Sequence, residues 1–455
     1  LRNHLEARDL DTHGTRLELI ERLRISLIDE QLHKFAYTET VDAEQVIQAD
    51  LEERGSVYVV GTNDRGQLGL GDTDARRVFT VIPQLRGGNV NYIAAGTDMC
   101  FVVTDDHEVY VWGGGGVGRN GLNPSGPKSM RLAQNNYLEP QQVHDLAGEE
   151  PIHVSVGLSH CLACGKGGDC FVWGHGDAGQ LGLGNLMHHL TVAVNNSFPP
   201  VISTGCGANH SMALTKKGQL YAWGHAANGR LGLGAAERIG PIKMIACGSD
   251  HTIAMGVSGA WSWGNGSGGR LGLGDQRDRY DPCGIPRLRG KSLMMVAANA
   301  YHSLALVCYP PMKGGGMLYS WGSGYHGQLA QGSTVISLLP EPVDFFVSTH
   351  LLVKFISAGP LHCAAITRQG ELYTWGSNKN MCLGRKIDEK DVQYTPIPGH
   401  CGGFGAIVNN IGRGFPRYVA CGKEYTVVST HPYEGPNLDV AIKLMEESKL
   451  REEEA

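Results

Sequence analysis

One unit recurs seven times along this chain, and it constrains the fold more than any other feature. Each copy is a short apolar strand that ends in Trp-Gly (Val-Gly in the first copy), and most copies are followed by a form of Gly-Gln/Arg-Leu-Gly-Leu-Gly. The strands end at Gly61, Gly113, Gly174, Gly224, Gly264, Gly322 and Gly376. A repeat at this spacing, about 40 to 60 residues, indicates an array of units that bury a shared core.

A second motif lies upstream of most Trp-Gly strands. It reads small-x-Gly-x-x-His, followed by another short apolar strand. Its histidines are His160, His210, His251, His302 and His362, with Met99 in this position in the first copy and Tyr425 in the last. Short apolar strands with glycine-rich turns, and no helical periodicity between them, predict an all-β fold. Radial repetition of such sheets forms a β-propeller, which leaves only short edges exposed.

The two ends of the repeat region complement each other. The first Trp-Gly-type strand, residues 56–60, has no upstream companion, and the last small-x-Gly motif, residues 420–430, has no downstream Trp-Gly strand. Together they would complete one blade. The sequence therefore predicts a seven-bladed β-propeller over residues 55–430, closed by strands from both ends of this region.

These two motifs, repeated seven times from about Gly55 to Thr430, resemble the regulator of chromosome condensation repeat. The resemblance implies a seven-bladed propeller of four-stranded blades. It also implies one possible activity, because the founding member of the family is a guanine-nucleotide exchange factor for the small GTPase Ran.

The segments on either side of the repeats have helical patterns. Residues 1–30 resemble part of a SAP motif, a helix–extended–helix module associated with DNA or RNA binding, through Arg8-Asp9-Leu10 and the run from Gly14 to Leu23. Residues 31–54 are predicted as a helical linker, and residues 431–455 as an acidic C-terminal helix. The candidate nucleic-acid contacts are Arg16, Arg22 and Arg24. Acidic residues outnumber basic ones in the SAP-like segment, and phosphate neutralisation dominates nucleic-acid affinity, so a protein-docking helix pair is the alternative.

Composition narrows the class of protein. The formal net charge of −6 argues against a protein that coats nucleic acid broadly. No apolar run reaches membrane-spanning length, so we expect no membrane partner. Most of the 12 cysteines fall at repeat positions where small buried residues occur, and a reduced intracellular compartment is the simplest setting. The chain does not begin with Met, so the sequence makes no prediction about a targeting segment, and nucleus, mitochondrion and cilium or cytoskeleton stay open.

Apparent catalytic and binding motifs are better explained by the repeat. Three Gly-x-Gly-x-x-Gly runs, at residues 174–179, 264–269 and 322–327, are followed by further glycine-rich turns and not by the helix that a dinucleotide site needs. Cys161 and Cys164 form a lone CxxC whose equivalents in the next repeat are Ser211 and Leu214, which argues against zinc. Each repeated histidine belongs to its own blade, so we predict a hydrogen bond from each ring to a backbone group. We predict no catalytic residue, cofactor or metal.

The places where the repeat is interrupted are the predicted partner-docking surfaces. Residues 113–140 form a long insertion that carries Arg119, Lys128 and Arg131. Residues 333–350 are apolar for a loop, with Leu338, Leu339, Phe345 and Phe346. For this second segment a buried strand of the blade is the alternative to a docking surface.

The sequence therefore predicts a non-enzymatic scaffold docked in a larger intracellular assembly. Chromatin, a mitochondrial ribosome-like particle and a ciliary or cytoskeletal lattice are all compatible with these residues. Guanine-nucleotide exchange on a Ran-like small GTPase is the alternative function.

Overall fold

The computed structural model describes residues 55–122, 136–233, 239–308, 315–387, 393–402, 404 and 415–431. The SAP-like segment with Arg16, Arg22 and Arg24, the helical linker, and all but His431 of the predicted C-terminal helix lie outside this part of the chain. Those assignments stay predictions.

The described residues form seven antiparallel blades around one axis. Blade one contains β1 (Val57–Gly61), β2 (Arg76–Val81), β26 (Phe415–Cys421) and β27 (Tyr425–His431). Blades two and three contain β3 (Val90–Ala95), β4 (Met99–Thr104), β5 (Val109–Gly113), β6 (Tyr137–Gln142), β7 (Pro151–Val156), β8 (His160–Gly165), β9 (Cys170–Gly174) and β10 (His189–Val194). Blades four and five contain β11 (Val201–Cys206), β12 (His210–Thr215), β13 (Leu220–Gly224), β14 (Ile242–Cys247), β15 (His251–Gly256), β16 (Gly259–Gly264) and β17 (Arg279–Gly284). Blades six and seven contain β18 (Leu293–Ala298), β19 (His302–Cys308), β20 (Gly316–Gly322), β21 (Ser337–Pro342), β22 (Val353–Ala358), β23 (His362–Thr367), β24 (Leu372–Ser377) and β25 (Tyr394–His400).

Among the described residues, helical structure is limited to short turns between strands. One α-helix, α1 (Asp344–Ser348), follows β21. The 3-10 turns are Pro83–Leu85, Gly116–Gly118, His144–Leu146, Ala227–Gly229, Ser267–Gly269, Pro286–Leu288 and Lys379–Met381.

The order of strands gives each blade two ends. From the axis outwards we call the strands inner, second, third and outer. The turn from inner to second strand carries the small-x-Gly motif, and it lies at the same end as the Trp-Gly loop that leads to the outer strand, since His160 is opposite Gly174 in the strand register. We call this end of the ring the upper face and the opposite end the lower face.

The ring is closed by strands from its two ends. β1 pairs with β27, with Val57 opposite Ser429 and Gly61 opposite Tyr425. The seven inner strands contact their neighbours in an unbroken cycle that returns from β26 to β3. This is the arrangement that the two unpaired sequence motifs predict.

The repeated tryptophan joins neighbouring blades. Trp112, Trp173, Trp263, Trp321 and Trp375 are each at most 1% exposed and lie between blades. Trp112 Nε1 donates a hydrogen bond to the Gln67 carbonyl in the loop of the preceding blade, at 2.9 Å. A Cβ atom at Gly69 in that loop would lie 2.9 Å from Trp112 Cδ1, so the loop requires glycine where it crosses the indole ring.

Blade four differs from the other six. Among the described residues it has three strands, β11, β12 and β13, and no outer strand. Five residues of its upper loop, 234–238, lie outside that part of the chain. Trp223 on β13 is partly exposed, in contrast to the fully buried tryptophans of complete blades. Within the described part of the chain, the third strand of this blade is therefore an open sheet edge.

Candidate functional site

The five repeated histidines connect each blade to the next. All are fully buried. Each ring contacts a hydroxyl or thiol of the following blade through Nε2, in the pairs His160–Ser211 (2.8 Å), His210–Thr252 (3.1 Å), His251–Ser303 (3.0 Å), His302–Cys363 (3.0 Å) and His362–Thr426 (2.9 Å). The prediction of a backbone partner for these rings is wrong.

The geometry around Ser211 shows why a side chain intervenes. The Gln180 carbonyl receives hydrogen bonds from Ser211 Oγ (2.7 Å) and from Trp223 Nε1 (2.8 Å). Because the hydroxyl donates its single proton to that carbonyl, its oxygen accepts from the Nε2–H of His160. Nε2 of the ring therefore carries a proton.

The motif glycine closes the opposite side of the ring at His160, His210 and His251. A Cβ atom at Gly157 would lie 2.9 Å from Nδ1 of His160. Nδ1 of His160 has no hydrogen-bond partner among the described residues. Burial lowers the pKa of His160 to about 3, so the ring stays uncharged at neutral pH. The small-x-Gly-x-x-His motif thus encodes blade packing.

The cysteines are likewise structural. All 12 are free thiols, and nine of them are buried. Burial raises the pKa of Cys164 and of Cys170 to about 12, which suppresses the nucleophilic thiolate. Within the described ranges, no cluster of His, Cys, Asp or Glu could hold a metal ion.

Alkylation of the native protein should distinguish these thiols. We expect iodoacetamide at neutral pH to label Cys283 and Cys308 first, because both are only partly buried. Cys247 is also partly buried, but burial raises the pKa of its thiol to about 12 and so suppresses the reactive thiolate. The remaining thiols should react only after denaturation, and mass spectrometry of tryptic peptides would measure both sets. Early labelling of Cys161 or Cys164 would contradict this assignment.

Arg119, a predicted docking residue, lies in a junction between blades. Its guanidinium forms a salt bridge to Asp98 at 2.9 Å, with only 12% of its side chain exposed. It also donates to the Leu158 carbonyl of the next blade at 3.1 Å. The structure thus gives Arg119 a packing role on the upper face. Lys128 and Arg131 lie outside the described residues.

The apolar segment 333–350 supplies the outer strand of blade six and α1. Leu338 and Leu339 are partly buried on β21, where Leu338 lies against Gly269 of the preceding blade. Phe346 is 3% exposed and its ring lies 6.1 Å from that of Trp375 in blade seven. Phe345 is partly buried and lies 5.6 Å from the Tyr373 ring. The structure matches the alternative of a packed strand, and a docking role for these residues stays a prediction.

Large apolar side chains are exposed on the upper face. Leu158 (53%) lies in the inner turn of blade three and Met187 (68%) in its outer loop. Other exposed residues of this face are Leu186, Leu233, Tyr301, Tyr325 and Val335. These seven are among 16 large apolar side chains exposed on the described residues, and apolar groups of this size at one end of the ring form a candidate surface for binding another protein.

Sequence reasoning did not find the open edge of blade four. One signal was available, because the interval between Trp223 and Trp263 is 40 residues and the others are longer. That interval has no room for an outer strand between the Gly-rich loop and the next inner strand.

No helix among the described residues is long and apolar enough to cross a membrane.

Comparison with known protein families agrees with the seven repeated blades of the structure. A profile of the Regulator of chromosome condensation (RCC1) repeat matches seven segments, at residues 54–103, 106–164, 167–214, 217–255, 259–306, 315–366 and 369–429. These segments cover most of the chain.

Individual proteins of known name share about a third of their aligned residues with this chain. The Ultraviolet-B receptor UVR8 of Arabidopsis thaliana is 31% identical over 72% of this chain and 63% of its own length. The RCC1 domain-containing protein RUG3, mitochondrial, of the same plant is 31% identical over 75% of this chain and 66% of its own length. The chain thus spans just under two thirds of both. The solved structure of human WBSCR16 has a TM-score of 0.68 at 22% identity, over 83% of this chain and 99% of that one, and so shares the fold.

Proposed function

We propose that this chain, which belongs to the regulator of chromosome condensation (RCC1) repeat family, is a non-catalytic propeller that binds partner proteins within a larger assembly. Its relatives bear names from different biological settings, so the family alone does not choose the assembly.

One observation carries this proposal. The chemically reactive side chains of the repeat, its histidines and most of its cysteines, are buried between blades. The upper face in contrast exposes Leu158, Met187, Tyr301 and Tyr325, each at least half accessible. A surface of this kind is suited to binding a protein by apolar contact around a rigid ring.

Substitutions on this face should release partners. We expect Leu158→Asp combined with Met187→Asp to reduce the recovery of co-purifying proteins from source cells about tenfold or more, because a charge in an apolar contact is left unpaired. Quantitative mass spectrometry of the proteins that co-purify with the tagged chain measures this recovery. Val257→Asp is the matched control, since Val257 is 67% exposed in a lower-face turn.

Two results would contradict the proposal. One is a tagged chain that elutes alone, with the mass of a monomer, from native extracts. The other is a marked acceleration of nucleotide release from a small GTPase by the purified chain, which would support the exchange activity that the family resemblance suggests as the alternative.

A further inference from the structure

The open edge of blade four lacks a hydrogen bond that every other blade makes. In those six blades the first residue of the Trp-Gly strand, or its equivalent, accepts a backbone N–H from the residue that follows the outer strand. The pairs are Ile82 to Val57 (2.8 Å), Val143 to Val109 (2.8 Å), Asn195 to Cys170 (2.7 Å), Ile285 to Ala260 (2.9 Å), Val343 to Leu318 (2.9 Å) and Cys401 to Leu372 (2.8 Å). The corresponding acceptor on β13 is the Leu220 carbonyl, and no described residue takes the donor's place.

The alternation of the ladder fixes which groups of β13 point outwards. Thr215 N donates to the Gln219 carbonyl at 3.0 Å and so closes the hairpin between β12 and β13. The next pair, Leu214 with Leu220, is therefore of the non-hydrogen-bonded type, and so is Met212 with Ala222. The N–H and C=O groups of Leu220 and Ala222 face away from β12, towards the open edge.

The preceding blade presents a matching free donor. In three other junctions a loop glycine donates its N–H to a carbonyl near the start of the next blade's outer strand: Gly71 to Leu138 (2.9 Å), Gly274 to Leu338 (2.9 Å) and Gly332 to Pro396 (3.0 Å). Gly184 is the equivalent residue of blade three. Its N–H has no partner among the described residues, and a Cβ atom built on it would meet nothing within 4 Å. The vacant position thus has an acceptor and a donor at opposite ends.

The outer strands of the sister blades show which sequence fits. Residues 138–143 read Leu-Glu-Pro-Gln-Gln-Val, residues 280–285 Tyr-Asp-Pro-Cys-Gly-Ile and residues 338–343 Leu-Leu-Pro-Glu-Pro-Val. The first side chain covers a loop glycine, since a Cβ at Gly66 would lie 2.7 Å from Leu138. Proline is tolerated because an outer strand has no further neighbour, and the last residue supplies the N–H group. At Gly179, the equivalent of Gly66, the nearest atom is Leu186 Cδ2 at 3.8 Å, so this apolar position is open.

The charge around the open edge of blade four indicates which of these sequences would bind best. The protein carries a net charge of −6, yet no Asp or Glu occurs between residues 178 and 236. Lys216 and Lys217 are exposed in the turn that leads into β13. Lys243 is also exposed. It lies beside that turn, since the N–H of the adjacent Ile242 donates to the Gly218 carbonyl at 3.1 Å. A strand added antiparallel to β13 would run towards these lysines, so acidic residues would follow its final Val or Ile.

We propose that blade four is completed by a partner protein. The partner supplies an extended Leu-x-Pro-x-x-Val/Ile segment followed by acidic residues, which adds to β13 as the missing outer strand. The inference rests on the proposed function, and it states the chemistry of one partner of that scaffold.

A designed peptide tests this directly on the full chain. The probe is fluorescein-labelled Ser-Leu-Leu-Pro-Glu-Pro-Val-Asp-Asp-Glu, whose first seven residues copy residues 337–343. We expect saturable binding by fluorescence anisotropy at low ionic strength. The same peptide with N-methylvaline should bind about tenfold or more weakly, because it cannot donate to the Leu220 carbonyl.

Matched lysine variants test the charge preference. Lys216→Glu with Lys217→Glu should weaken binding about tenfold, and added salt should reduce the difference. Lys166→Glu should leave binding unchanged, because Lys166 occupies the equivalent turn position in blade three, whose outer strand β10 is present.

Hydrogen exchange locates the peptide. Bound peptide should slow amide exchange at Leu220, Ala222 and Gly184, and should shift the fluorescence of partly exposed Trp223, a shift that Trp223→Phe removes. No binding, equal binding of the N-methyl peptide, or protection elsewhere on the ring would overturn the inference.

Two other occupants would also overturn it. Protection of these amides in the free monomeric chain would show that a segment of the chain itself fills the edge. Protection that rises with protein concentration, together with a doubled mass, would show pairing with a second copy. In either case, loss of partners from the Leu158 and Met187 variant would still support the proposed function. Failure of the strand-addition inference can therefore be distinguished from failure of the proposed function.

Discussion

Deletion of residues 420–430 should abolish cooperative folding of the entire ring. The deletion removes most of β27, which pairs with both β1 and β26. It also removes Tyr425, whose hydroxyl donates to the Met99 carbonyl of blade two at 2.6 Å. Tyr425, Val427 and Val428 are fully buried, and burial of each such side chain contributes about 1.5–3 kcal/mol. The combined loss approaches the roughly 5–15 kcal/mol that stabilises a typical domain.

Thermal unfolding followed by circular dichroism and tryptophan fluorescence measures this effect. A circular permutant is the matched control. It links Thr430 to Ser56, which are already hydrogen-bonded at 2.9 Å, through an added Asn-Gly turn, and opens the chain between the exposed Asp105 and Asp106. It keeps every described strand, apart from the terminal His431 of β27, and should melt as one cooperative unit. A deleted chain that melts at the parent temperature would show that closure does not hold the ring together.

Acidification from pH 7 to pH 5 should destabilise the propeller strongly. Burial lowers the pKa of His160, His210 and His302 to about 3 and that of His362 to about 4, against a value of 6.5 in the unfolded chain. Between these values the unfolded state binds protons that the folded state excludes. Stability is therefore complete above pH 6.5 and falls as the pH drops towards the folded-state values.

The size of this effect follows from the same pKa difference. One pH unit below 6.5 costs about 1.4 kcal/mol for each such histidine, so four of them cost on the order of 8 kcal/mol at pH 5. Urea unfolding at several pH values measures the loss. His302→Met, which copies the natural Met99 of blade two, should reduce the difference between pH 7 and pH 5 by about 2 kcal/mol. His225→Asn should leave it unchanged, because His225 is exposed. A stability that is constant over this range would contradict the neutral buried rings.

The architecture was readable from the sequence because strand pairing within a blade is local. The Trp-Gly strand and the small-x-Gly-x-x-His motif pair in antiparallel hairpins of neighbouring residues, as His160 does opposite Gly174. The two unmatched motifs at the ends likewise predict the pairing of β1 with β27. For the same reason, most glycines and cysteines could be recognised as structural before their contacts were known.

Contacts between blades were not readable in this way. The ring of His160 bonds to Ser211, which lies 51 residues away, and the intervening hydroxyl replaces the expected backbone acceptor. Arg119 appeared as a surface charge of an insertion, yet Asp98 and the Leu158 carbonyl engage it at a junction. Both outcomes depend on where the next blade places its groups in space, which a repeat motif does not encode.

The open edge of blade four also depends partly on the sequence and partly on the tertiary structure. The short interval before Trp263 is present in the sequence, but its consequence is a row of groups on β13, and an N–H on Gly184, that have no partner among the described residues. Repetition and chain order alone dictate seven blades and their closure. Which backbone groups along the open edge lack partners, and which charges surround them, emerges only when the ring brings distant residues together, because hydrogen-bond satisfaction is a property of neighbours in space and not of neighbours along the chain.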